Sequence, residues 1–158
     1  MPTLIDDYES GDPQRVLHAV WQTIGCRDPE LLDPLVAALP RLRARTADVE
    51  LGGMIYSNST HREHAFQVIE NHRDGLCWCA AYPDSLTYDP RKEQNRGHAE
   101  IRSTSTPGWE MTYECVCAVC GQVFDVEQGD HHVTWWRWVP RGVKRRRRRG
   151  SSNVGGGA

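Results

Sequence analysis

The sequence predicts an α+β protein, with N-terminal helices packed on a small antiparallel sheet and a disordered basic tail behind them. Three patterns point there. Apolar residues recur at helical spacing through the first forty residues, alternate with a period of two from Ala99 onward, and thin out after Pro140. The expected segments are 1–59, a helical region; 60–140, a helix followed by a β domain; and 141–158, the tail.

The first helix opens at Asp12–Pro13, an N-cap followed by a proline whose missing N–H costs nothing in the first turn. Val16, Leu17, Val20, Trp21 and Ile24 form its stripe, and Gly25 ends it. The same device recurs at Asp28–Pro29, with Leu31, Leu32, Leu35, Val36 and Leu39 as the stripe before Pro40; Pro34 should begin or kink that helix. The two make a helical hairpin. Asp28, Glu30 and Asp33 would repel phosphate where a DNA-reading helix makes its base contacts, so the hairpin reads as a packing unit. Residues 41–59 are ambiguous, with short strands at Asp48–Leu51 and Met54–Tyr56 as one option. A third helix is expected from Thr60 to Arg73, with Thr60 and Glu63 as a capping box and Gly75 in the left-handed position after it.

Tyr82 to Gly97 is polar and rich in turn formers, hence a loop. Trp109, Met111, Tyr113, Cys115 and Cys117 then fall on one face of a half-buried strand. Gln122–Glu127 is its expected hairpin partner, and Val133–Val139 a last strand ended by Pro140. Trp135 and Trp136 must face opposite sides of that strand. Either a helix covers the second face, or Trp136 and Trp138 form an exposed platform for bases or a protein partner.

The chain has 158 residues and a formal charge of −2, the sum of two unlike parts. Residues 1–140 hold all 21 acids and 12 of the 19 Lys/Arg, a charge of −9; Arg141 to Arg149 hold the other seven bases and no acid. Mean hydropathy is −0.62, and no apolar run approaches the roughly 18–20 residues that span a bilayer. Met1 to Ser10 is acidic and lacks an apolar core, so no secretory leader is expected. Six cysteines in such a chain suit a reducing, intracellular compartment, where thiols serve metal more often than disulfides; a nuclear address would need a eukaryotic cell.

The strongest chemical signal is Cys117–Ala118–Val119–Cys120–Gly121. Two cysteines three apart at a tight turn aim both thiolates at one tetrahedral ion, and the glycine lets the backbone turn inward. These residues resemble the knuckle of the zinc-ribbon fold group, in which two knuckles on hairpin turns share one structural zinc. The resemblance implies a second pair, and Cys77–Trp78–Cys79 is the candidate, one residue tighter than the usual spacing. The expected ligands are therefore Cys77, Cys79, Cys117 and Cys120 around one Zn2+, with Cys115, His72 or His98 as substitutes for one of them. An iron–sulfur cluster is the alternative. Four thiolates leave no open position for water, so the metal is expected to be structural.

Gly129–Asp130–His131–His132 bears a faint likeness to HNH-type nucleases, but those need a further Asn or His one helix later, and here a Trp-rich run follows. A polar hairpin turn is the plainer reading. His61, His64 and His72 are expected on a solvated face of the third helix. No catalytic residues are expected. Arg141, Lys144, Arg145, Arg146, Arg147, Arg148 and Arg149 are the candidate phosphate-binding residues. The expected function is a non-enzymatic, zinc-stabilised module that contacts nucleic acid or a nucleic-acid-handling complex. An acidic, Trp-bearing protein-binding adaptor is the alternative, and a degenerate HNH-like nuclease a further one.

Overall fold

The computed structural model describes residues 1–53 and 57–142. Helices come first and a four-stranded antiparallel sheet follows, in two compact units that divide between Trp78 and Cys79. No helix among the described residues is long and apolar enough to cross a membrane. The tail bases Lys144 to Arg149 and the possible strand Met54–Tyr56 lie outside the described residues.

The first unit contains α1 (Leu4–Glu9), α2 (Pro13–Gly25), α3 (Pro29–Thr46) and α4 (Asn58–Arg73). Asp12 and Asp28 cap α2 and α3 as expected, each carboxylate accepting a backbone N–H two residues on, from Gln14 and Glu30. The buried stripes differ slightly from those expected. On α2 they are Val16, Ala19, Val20, Thr23 and Ile24, while Trp21 is exposed and its ring meets His61 at 4.7 Å. α3 does not end before Pro40 but continues to Thr46 with both Pro34 and Pro40 inside it. Both prolines are exposed, while Leu32, Leu35, Ala38, Leu39 and Leu42 are buried. Packing of that stripe outweighs the two missing backbone hydrogen bonds. α1, a single capped turn, was not apparent in the sequence. It delivers Tyr8 into the core, where its hydroxyl meets Thr23 Oγ1 at 2.8 Å.

Two further expectations are corrected in this unit. α4 begins at Asn58, two residues before Thr60, so the Thr60–Glu63 capping box does not form. Its histidines do not share a solvated face: His64 is buried, and His72 is largely covered and bonded to Asp33 at 2.6 Å. Asp48–Leu51 is not a strand.

In the second unit the expected loop contains structure. A 3-10 segment, Trp78–Asp84, is followed by α5 (Pro90–Asn95), capped by Asp89. Strands β1 (Ala99–Thr104), β2 (Met111–Cys117), β3 (Val123–His131) and β4 (Val133–Pro140) pair in chain order. Facing pairs such as Tyr113–Val126 and Val126–Trp138 line one face, and Glu114–Asp125 and Glu127–Arg137 the other. Trp138 is fully buried, stacked on Tyr82 at 4.1 Å and edge-on to Phe124, with its indole N–H on the Tyr88 carbonyl at 2.8 Å. It therefore cannot serve as an exposed platform. Trp136 is half-buried, and its N–H donates to Gln128. Trp109 lies outside the strands and is exposed. Gly129–His132 is not the expected loop: β3 runs through to His131, and only His132, at φ 68°, turns the chain.

Candidate metal centre

The sulfur atoms of Cys77, Cys79, Cys117 and Cys120 all lie within 4.8 Å of one another. This is the set of four that the sequence spacing singles out, and it could hold a metal ion. A tetrahedral ion with metal–sulfur bonds of about 2.3 Å separates its sulfurs by about 3.8 Å, so the cluster has the right size for one ion.

Each pair is delivered by local backbone geometry. Cys117 ends β2, and the turn into β3 is closed by Gly121 N–H on the Cys117 carbonyl at 3.0 Å and Cys117 N–H on the Gln122 carbonyl at 2.9 Å. Gly121 sits at φ 76°, a left-handed conformation that a side chain would strain. The amide of Val119 points at the Cys117 sulfur, 3.4 Å away, and stabilises negative charge there. The second pair has a different setting. α4 terminates at Gly75 (φ 70°), with Leu76 N–H on the Asn71 carbonyl at 2.9 Å, and Cys77 follows directly. Cys79 lies in the first turn of the 3-10 segment. Only one of the two pairs therefore occupies a β-hairpin turn. The 3-10 turn explains how a spacing one residue tighter than usual still serves: its three residues per turn redirect the chain within a single intervening position.

Cys77, Cys79 and Cys117 are buried and Cys120 is exposed. The Sγ atoms of Cys79 and Cys120 are 3.4 Å apart, and no disulfide joins any of the six cysteines.

The three substitute ligands stand outside the cluster. Cys115 is fully buried opposite Phe124 and Ile101, and burial pushes its thiol up to about 12. His72 is held by Asp33, and His98 Nδ1 by Glu93 Oε2 at 3.0 Å. Cys26 is buried at the end of α2 and is not among the four clustered cysteines.

A bracket that the spacing of the cysteines does not announce stands beside the knuckle. Glu93, almost fully buried, accepts the Tyr82 hydroxyl at 2.6 Å as well as His98. His98 in turn offers its carbonyl to the Ala118 amide at 3.0 Å, between the two knuckle cysteines. The signal that could have found it is Asp89–Pro90, the same helix-opening pair as at Asp12–Pro13.

Of the candidate basic residues, only Arg141 is described. It reaches back over the sheet to Asp125 at 2.5 Å and Glu114 at 2.9 Å, and it holds the Asp125 carboxyl below its ordinary range. Comparison with protein-family models, curated proteins and solved structures finds no match to this chain.

Proposed function

We propose that the chain is a non-enzymatic module whose fold is held by one structural zinc ion on Cys77, Cys79, Cys117 and Cys120, and which contacts nucleic acid through Lys144–Arg149. The observation that carries the zinc reading is the gathering of four thiols within 4.8 Å. Four sulfurs this close suit a single shared ion. A cubane iron–sulfur cluster spreads its cysteines apart, because each holds a different iron. A closed set of four thiolates leaves the ion no open position at which to activate water, which supports a structural role. When bound, the ion would contribute of order 10 kcal/mol to the folding of the β unit.

Elemental analysis of the purified full-length protein tests this. About one zinc per chain is expected, lost in Cys117→Ala together with cooperative unfolding. Iron with visible absorption, or no metal at all, would overturn the zinc reading.

The nucleic-acid reading rests on the six consecutive bases and on the engagement of Arg141 with carboxylates, which leaves the six as the phosphate-binding group. Their contacts would be independent of sequence, with a slope of about −4 to −5 in log K against log salt. A gel shift at low salt should weaken strongly when Lys144–Arg149 are replaced by Gln in the full chain. Equal shifts for the two proteins would sink the tail's role.

A second reading, a protein-binding adaptor, is favoured by one observation. Glu114, Asp125, Glu127 and the half-buried Trp135 share one face of the sheet, a setting for a basic partner. A pull-down with an arginine-rich peptide that fails in Glu127→Gln with Asp125→Asn would support it.

A further inference from the structure

The four cysteines differ in exposure, and the difference gives the site a direction of attack. Three are buried and Cys120 is exposed. Its sulfur lies 3.4 Å from that of Cys79, which belongs to the other pair. A disulfide needs about 2.0 Å, so the pair must close by a little over an ångström. The companion sulfur on the knuckle, Cys117, is buried and already receives the Val119 amide, which withdraws charge from it. Cys26 and Cys115 are buried outside the cluster.

We propose that Cys120 is a site of oxidation by hydroperoxides, that Cys79 resolves it, and that the Cys79–Cys120 disulfide so formed releases the metal. The proposal rests on the zinc reading above. The Cys120 sulfur attacks the outer peroxide oxygen; the O–O bond breaks, and an alcohol or water leaves with a proton. Cys120 is then a sulfenic acid. The Cys79 sulfur attacks it, forming the S–S bond and expelling hydroxide, which takes a proton and departs as water. Two electrons pass from the sulfur pair to one peroxide, and the ion keeps its oxidation state. Cys77 and Cys117 remain as half of the ligand set, too few for a structural site.

The test uses full-length protein whose metal has been measured, treated with hydrogen peroxide beside a chromogenic zinc chelator. Free thiols are then alkylated and the protein digested with trypsin. One ion should be released for each disulfide, and the link should join the peptides 74–91 and 103–137, with fragmentation placing it at Cys79 and Cys120. A link between Cys117 and Cys120, a link at Cys77, or retention of the ion after cluster oxidation overturns the proposal. Cys120→His keeps a fourth donor but has no thiol at the exposed position. It should slow peroxide-driven release about tenfold or more, and release at the original rate also overturns the proposal. Protein that holds zinc but keeps it under peroxide defeats only the oxidation step. Protein that never holds zinc on these cysteines defeats both readings.

Discussion

Gly129 shows how much a single position can depend on its cross-strand partner. It faces Trp135 across the β3–β4 hairpin, and a Cβ built on it would overlap ring carbons of that indole. Gly129→Ala is therefore expected to destabilise the protein by about 1–3 kcal/mol, read from urea midpoints. The added loss should shrink when Trp135→Ala is present, because the overlapping ring is gone. Facing pairs depend on register, and register depends on where the turn lies. Reading Gly129–His132 as the loop hid this contact, since His132 alone, in a conformation that few side chains adopt, makes the turn. His64 is the other informative residue. Burial, with smaller contributions from the charges of His61 and Arg27, pushes its imidazole down to about 4. Between its ordinary value and that one, the unfolded chain takes up a proton that the folded chain refuses. Stability therefore falls as pH drops through this window, by up to about 1.4 kcal/mol per pH unit. His64→Gln should flatten the slope between pH 6.5 and pH 4, as followed by the helical signal under denaturant; an unchanged slope would assign the acid sensitivity elsewhere.

The helices show what the local code carries and where packing overrides it. Asp12–Pro13 and Asp28–Pro29 open α2 and α3 as their residues dictate. The identical signal at Asp89–Pro90 opens α5, but with only six residues and one turn it has no apolar stripe to make it visible. α3 is the reverse case, because Pro40 reads as a stop and Leu42 and Thr46 are nonetheless buried beyond it. An exposed proline in a helix interior is a standing cost. Pro40→Ala is expected to stabilise the protein by about 1–2 kcal/mol, less than the full helix-propensity difference because the alanine chain gains freedom when unfolded. Thermal unfolding of the full chain checks it, and a lower melting temperature would show that the proline ring is needed. The two cysteine pairs were legible for a different reason. Ligand spacing is a short-range property, and a glycine after the knuckle fixes its turn. The bracket of Tyr82, Glu93 and His98 was not legible, since three residues spread over seventeen positions meet only once α5 has formed.

The molecule has two units with unequal resources. The helical one buries Tyr8, Leu32, Leu35, Leu42, Phe66 and Ile69; the β one buries Tyr82, Phe124, Val126 and Trp138 and carries three of the four clustered cysteines. Chelation of the metal is accordingly expected to raise amide hydrogen exchange strongly in β1–β4 while α2, α3 and α4 keep most of their protection. Uniform loss of protection in both would show that the helices draw their stability from the metal as well. The charge split falls elsewhere, at the end of β4. The −9 of residues 1–140 disfavours phosphate over the folded part, and Arg141, the first base of the run, is already paired with Asp125 and Glu114. Strand order in the sheet is chain order, so every strand meets its partner across one connection, and pairing needs no distant segment. Such a topology has low contact order and folds fast. During synthesis the knuckle of Cys117 and Cys120 can close as soon as β3 emerges. Cys77 and Cys79 will by then have waited, as free thiols, for some forty residues of translation.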